Sequence, residues 1–366
     1  MIEIMSELQT AREIINRVDK EMARLFEMRM DAARAVAKYK KENGLPIDDF
    51  GREKEIITRN SDYIENEEYR SYYVNFLRNN IKLSKDLQHR LLEGMTVAYS
   101  GVEGAFANIA ARRIFPDARC QPYADFKAAY KAVEKGECDC VILPIENSFN
   151  GDVGNVLDLA FFGSLYINGV YEADVVQNLL GVQGATLWDV RKVISHPQAL
   201  GQCATYIENH GFETENAVNT AVAAKRVAEV GDKSIAAIGS IEAAQQFGLQ
   251  VISEKINDSG TNTTRFAVFS RSNKMPAPTD ERFIMLFTVK NMAGSLGEAI
   301  SVIGQHGFNL RALKSRPTKE LVWDYFFYVE GEGNINSPQG KAMLEQLKKC
   351  CSDLKIIGSY EKEIHI

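Results

Sequence analysis

The chain lacks a C-x-x-C pair: its six cysteines (Cys120, Cys138, Cys140, Cys203, Cys350 and Cys351) are scattered, and its five histidines (His89, His196, His210, His306 and His365) do not cluster near them. A zinc site has no support, and thiols spaced in this way fit a reducing compartment. No apolar run approaches the ~18 residues that suggest a membrane span. The first ten residues carry two glutamates and neither a basic stretch nor an apolar core, so no secretory signal is expected and the protein reads as cytoplasmic. Excess positive charge is missing too. Lys and Arg total 43 against 49 Asp and Glu, a net of -6, which gives no general attraction to nucleic acid or anionic lipid but leaves room for local basic pockets. What is present is ordinary: 366 residues, 45% hydrophobic and 25% charged, the average of soluble globular chains. At roughly 100 to 200 residues per domain, that length predicts two or three domains.

Three segments differ in grammar. In residues 6–42 apolar or small residues recur at Leu8, Ala11, Ile15, Val18, Met22, Leu25, Ala32, Val36 and Tyr39, steps of three and four that predict one long amphipathic helix. Asn43-Gly44-Leu45-Pro46 stops it. A second helix is expected from about Arg52 and a third over 67–92, so residues 1–93 read as all-α. After Gly94, short β-branched runs (96–99, 141–143, 193–194, 234–238) alternate with Ala-rich amphipathic segments, predicting an α/β domain over 95–271 with mainly parallel strands. The polar, two-proline stretch 272–279 reads as a linker. Beyond it, strands at 283–289, 309–313, 323–330 and 354–360, with helices from about Ser295 and Pro338, give βαββαβ over 280–366, the ferredoxin-like order.

Chemistry enters through misplaced polar residues. Arg29 sits on the apolar seam between Leu25 and Ala32, where a guanidinium snorkels to water, meets a structural carboxylate, or awaits an anion. Lys40 lies eleven residues on, within about 20° of Arg29 around the helix and about 16 Å along it, so the pair can close on one small dianion. Arg12 is about 25 Å from Arg29 along the axis and rotated by about 100°, so it cannot share that pocket on one helix. Together Arg12, Arg29, Lys40, Asp49, Arg52, Glu53, Ser84 and Gln88 resemble the active-site set of the all-helical chorismate mutases, over the whole segment. The resemblance implies an intertwined helical dimer with Arg12 reaching the partner's site, and rearrangement of chorismate to prephenate by position and electrostatics alone. It implies that Arg12, Arg29 and Arg52 hold carboxylates and that Lys40 with Gln88 stabilises charge on the ether oxygen. Asp49, Glu53 and Ser84 would orient the hydroxyl and carboxylate ends.

In the α/β segment each polar cluster follows a strand: Gly101-Val-Glu-Gly104-Ala-Phe-Ala107, Pro144-Ile-Glu146-Asn147-Ser148, Ser195-His196-Pro197-Gln198 with Gln202 and Cys203, and Ala237-Ile-Gly239-Ser240. Asn262-Thr263-Thr264-Arg265-Phe266 leads into another strand. Ligands of open α/β sheets gather at strand carboxyl ends. Singly these are turn and cap chemistry, with Ser195 and Asn219 as potential N-caps and Cys203 a small core residue. In this order they resemble prephenate dehydratase, which implies a two-lobed fold like the periplasmic binding proteins and conversion of prephenate to phenylpyruvate. The resemblance points to Thr264 for the leaving hydroxyl and to Arg265 and helix N-termini for the carboxylates. Glu146, Asn147, Ser148, Ser195, Gln202 and Phe266 would line the cleft. The proton comes from Thr264, a weak acid, or from Glu146, the carboxyl expected there. Two positions depart from the family: Ala107 where serine is frequent, and Asp152 where a small hydroxyl residue is common.

Asn291-Met-Ala-Gly294-Ser-Leu296 and Lys314-Ser315-Arg316-Pro317 resemble the ACT regulatory domain of prephenate dehydratases. The implied effector is phenylalanine, bound by Gly294, Leu296, Ser315 and Arg316 at a domain dimer interface. Lys314 replaces the family's glutamate and reverses a charge beside that ligand. The expected whole is a bifunctional enzyme of phenylalanine biosynthesis, a homodimer or larger, needing no metal or organic cofactor. Its rivals are a dehydratase with an inactive mutase segment and a non-catalytic amino-acid sensor.

Overall fold

The computed structural model describes residues 2–318 and 324–366, with side chains from residue 7 onward. It divides into two compact units, Met1–Met95 and Thr96–Ile366.

The first unit is three helices: α1 (Ile2–Glu42), α2 (Phe50–Ser61) and α3 (Glu67–Glu93). The first ends as expected before Gly44, whose φ of 62° favours glycine. Asp49 caps α2 by accepting from the Arg52 amide, and Asn66 caps α3. Small Ala33 and Ala37 bring α1 against Leu77 and Ile81 of α3, and these four are the buried apolar residues of the unit among the described residues. The seam of Leu8, Ile15, Val18, Met22 and Leu25 stays exposed.

The second unit is α/β. Its first lobe contains β1 (Thr96–Ser100), α4 (Phe106–Ile114), β2 (Arg119–Tyr123), α5 (Phe126–Lys135), β3 (Cys140–Asn147), β4 (Gly151–Asp152), α6 (Gly154–Phe162) and β5 (Tyr166–Asp174). The chain then crosses to a second lobe of β6 (Asn178–Gly181), β7 (Lys192–Ser195), α7 (Pro197–Gln202), α8 (Ala204–His210), β8 (Glu213–Asn216), α9 (Thr220–Val230), β9 (Ile235–Gly239), α10 (Ile241–Phe247) and β10 (Gln250–Ser253). It returns to the first through β11 (Thr263–Ser270). The second lobe has its own sheet, ordered β10-β6-β9-β7-β8. Parallel pairing holds for β1 with β2 and β3, and for β7 with β8 and β9. The expectation of mainly parallel strands fails at the crossings. There β11 is antiparallel to β3 and β5, and β6 is antiparallel to β9 and β10, because a chain crossing between sheets enters each from the opposite end.

The C-terminal region has the ferredoxin-like order: β12 (Arg282–Thr288), α11 (Ser295–Gln305), β13 (Asn309–Pro317), β14 (Tyr325–Glu332), α12 (Pro338–Cys350) and β15 (Asp353–Tyr360), followed by β16 (Ile364–His365). The expected start of its third strand at Trp323 lies outside the described residues. The 272–279 stretch does not separate independent bodies. Strand β15 meets β5, β16 also pairs with β5, and one sheet runs β13-β14-β12-β15-β5-β11-β3-β1-β2. Its core is correspondingly continuous: Leu143, Ile167 and Phe269 share a buried cluster with Ile284, Leu286, Phe326 and Tyr328. Among the described residues no helix is long and apolar enough to cross a membrane.

Candidate functional sites

In the helical unit, Arg29, Lys40, Asp49, Arg52, Glu53, Ser84 and Gln88 line one cavity of about 350 Å³, together with Ala33, Val36, Ile47, Ile56, Ile81 and Lys85. Seven of the eight residues singled out by the resemblance therefore meet in one place. The eighth, Arg12, is exposed and outside it.

The cations of this cavity differ in their partners. Arg29 donates to the Asn80 carbonyl at 2.8 Å and to the Ser84 hydroxyl, both neutral. Burial pulls its guanidinium below the ordinary value. Lys40 donates to the Ile47 carbonyl at 2.7 Å. Arg52 reaches Glu55 at 2.7 Å in an exposed pair, the kind water and ligands readily replace. Gln88 is buried and its Oε1 has no hydrogen-bond partner. Lys85, which the sequence reading passed over, bonds Asp48 at 2.5 Å and Glu53 at 2.9 Å. Its spacing of three from Gln88 puts it on the same helical face, a signal that could have found it.

In the α/β unit, strand register decides which polar residues meet. Thr264 stands opposite Asn147, and Arg265 opposite Glu146. Neighbours in a strand point to opposite faces, so these are two sites back to back. On one face Asn147 Nδ2 donates to Thr264 Oγ1 at 3.0 Å and to Asn262 Oδ1 at 2.9 Å. Its Oδ1 accepts from the amides of Phe149 and Asn150, which determines the orientation of the carboxamide. From there amides line both crossings. Asn262 and Asn257 donate to the Val175 carbonyl, Asn257 accepts from the Gln177 amide, and Gln177 Nε2 donates to Gln202 at 3.3 Å. Gln177, also missed in the sequence, is buried with its Oε1 unpartnered.

On the other face Arg265 is enclosed by carboxylates of its own chain: Glu330 at 2.7 Å, Glu146 at 2.8 Å and Glu363 at 3.1 Å. Burial opposes its charge, yet Glu330 and Glu146 hold it above its ordinary value. Glu146, for its part, is held in its charged form. Burial would raise its pKa, but hydrogen bonds from Arg265 and Lys314 outweigh that and hold it below the usual range. The sequence expectation placed Arg265 and Glu146 beside Thr264, whereas the strand's period of two turns both away.

Other expectations fall differently. Ser148 exchanges hydrogen bonds with Thr261, just ahead of β11, and with Thr263 at its start, and Phe266 is packed in the core. Ser195 is not an N-cap. His196 caps α7, and the fully buried Ser195 hydroxyl donates to the Ile238 carbonyl at 2.7 Å. Asn219 does cap α9. Gly294 precedes α11 with φ of 88° and Leu296 lies in its first turn. Ser315 is exposed on β13, while Arg316 grips Asp158 of α6 through two bonds of 2.5 and 3.0 Å.

The chain matches the family models of chorismate mutase type II over residues 11–89 and prephenate dehydratase over 97–274. A bifunctional chorismate mutase/prephenate dehydratase of Aquifex aeolicus (strain VF5) is 31% identical over 367 residues, 98% of this chain and 99% of that protein. Among solved structures, a prephenate dehydratase from Arthrobacter aurescens in complex with L-Phe aligns with a TM-score of 0.68 and 27% identity, over 73% of this chain and 90% of that one. A quorum quenching acylase, GqqA, aligns with a TM-score of 0.68 and 30% identity over 72% of this chain and 97% of its own.

Proposed function

The chain belongs to the family of bifunctional chorismate mutase/prephenate dehydratases, and from that premise we propose how its residues divide two successive reactions of phenylalanine biosynthesis. In the first, chorismate rearranges to prephenate inside the helical unit. The observation that carries this reading is the single cavity lined by Arg29, Lys40, Asp49, Arg52, Glu53, Ser84 and Gln88. A pericyclic reaction needs no proton transfer, so the work is holding a dianion and stabilising charge as it forms. Arg29 and Arg52 take the carboxylates through forked donors. Lys40 and Gln88 face the ether oxygen, and Asp49, Glu53 and Ser84 orient the remaining polar groups. The cavity is completed by Arg12 of a second copy, packed along the exposed seam from Leu8 to Leu25, which makes the enzyme a homodimer or a larger assembly.

In the second reaction prephenate loses carbon dioxide and its hydroxyl group to give phenylpyruvate. Thr264 serves the leaving hydroxyl. Because Asn147 donates to Oγ1, the Thr264 proton is free to point at substrate. Glu146, held as a carboxylate by Arg265 and Lys314, is not the donor. Gln177 and Gln202 lie along the crossing segments, and α4, whose N-cap Ala105 makes no side-chain bond, keeps first-turn amides for a carboxylate. The acylase similarity has no matching nucleophile at Ser195, whose hydroxyl donates to a carbonyl, or at Cys203, whose thiol is pushed up to about 12 by burial.

Residues 280–366 act as an ACT-like phenylalanine sensor through Gly294, Leu296 and Ser315. Arg316 has a second task, tying β13 to Asp158. The deciding experiment is the coupled conversion of chorismate to phenylpyruvate with and without phenylalanine. The expected result is conversion that phenylalanine suppresses. Chorismate consumption equal in wild type and Arg29→Ala would remove the mutase reading, and calorimetry without heat at millimolar phenylalanine would remove the sensor.

A further inference from the structure

The residue that reverses the family's charge in the β13 motif, Lys314, is engaged by two carboxylates of the β3–β4 hairpin. Its Nζ bonds Asp152 at 2.5 Å and Glu146 at 3.0 Å. These two carboxylates stand opposite each other across the β3–β4 hairpin, and Asp152 is itself the other charged departure noted in the sequence. The same hairpin carries Asn147, whose Oδ1 accepts from its turn amides and whose Nδ2 holds Thr264. A closed ring of contacts completes the arrangement. Glu146 bonds Arg265, Arg265 bonds Glu330, Glu330 accepts from the Tyr328 hydroxyl at 2.7 Å, and the Tyr328 ring lies 5.8 Å from Lys314 Nζ. Arg265 and Glu146 are the chain neighbours of Thr264 and Asn147, so the ring grips both strands of the reactive pair from behind.

We propose that Lys314 is a positioning residue for dehydration, clamping Glu146 and Asp152 so that the β3–β4 hairpin presents Asn147 to Thr264. The clamp acts through the backbone of β3 and touches no substrate, and it makes the C-terminal region a structural partner in the chemistry. The assignment rests on the dehydratase reading given above.

The test uses the full chain with prephenate as substrate. Loss of the clamp misplaces the pair by a fraction of an ångström to an ångström, so kcat for Lys314→Met should fall about tenfold to hundredfold with KM changed less than about threefold. Lys314→Arg should restore most of it, and chorismate consumption by the same chains should not change. In a Thr264→Ala background, Lys314→Met should cost little more, because both act on one group. Should Lys314→Met lower the thermal transition of the second unit, Asp152→Asn, which removes one anchor of two, should still lower kcat by about twofold to fivefold at an unchanged transition. Full activity of Lys314→Met or of Asp152→Asn, or a loss that multiplies with that of Thr264→Ala, would overturn the clamp. Wild-type protein that makes no phenylpyruvate would overturn the dehydratase reading itself, a different failure.

Discussion

Arg29 and Arg265 are both partly buried, both picked out in the sequence, and handled in opposite ways by the fold. Arg29 is offered a carbonyl and a hydroxyl. It takes part in none of the ion pairs found among the described residues. Arg265 is surrounded by Glu330, Glu146 and Glu363, so its charge is spent inside the protein. A half-buried cation whose partners are neutral is a candidate for anion binding, whereas one enclosed by carboxylates has its charge balanced within the fold. A sequence shows the arginine in both cases and the partner in neither.

Several measurements can break this contrast. The largest effect is expected from Arg29→Ala, which should lower mutase kcat/KM by about 10³-fold, with a folding midpoint near wild type, since no buried carboxylate is abandoned. The opposite profile is expected for Arg265→Ala. Leaving Glu330 buried and uncompensated should destabilise the second unit by about 3–5 kcal/mol in denaturant titration, with mutase activity retained. Equal stability losses in the two variants would erase the distinction. Next comes Thr264→Ala, which should reduce phenylpyruvate formation by about 10²-fold while Thr264→Ser keeps most of it. Hybrid dimers of Arg12→Ala and Arg29→Ala chains should regain about half of wild-type mutase activity, because one of the two composite sites is then intact. Verified hybrids without activity would contradict the shared site.

The smallest effect concerns pH. Glu146 is held below its ordinary value, so its contribution to stability is complete above about pH 4.3, the unpaired value, and is lost as pH falls through the lower folded value. Glu146→Gln should therefore flatten the acid limb of the second unit's stability and leave that of the helical unit as it was. An unchanged acid limb would show that the Lys314 and Arg265 contacts do little for it.

Legibility differed between the two regions for a geometric reason. In the helical unit, rotation arithmetic on one helix placed Arg29 with Lys40 and set Arg12 apart, and the family resemblance supplied Asp49, Arg52, Glu53, Ser84 and Gln88. Of the charged residues lining the cavity, Lys85 was passed over. In the α/β unit the motifs were visible as runs, but a run of adjacent residues in a strand alternates between faces. Thr264 and Arg265 were read as one site although the period of two separates them. The antiparallel return of β11 and the partners of Lys314 depend on segments more than a hundred residues apart, and no local pattern contains them.

Length, composition and periodicity alone determined that this is a helical segment followed by α/β and βαββαβ segments, and the motif runs pointed to a family. Those are local properties, set by the spacing of apolar residues and by turn chemistry. Tertiary structure decided that the last two segments share one sheet, that Arg265 and Glu146 turn their backs on Thr264, and that Lys314 closes on the hairpin behind it. Such choices are made by register and by charges that meet only after the chain has folded, because a buried ion must find its counter-ion wherever the sheet brings it.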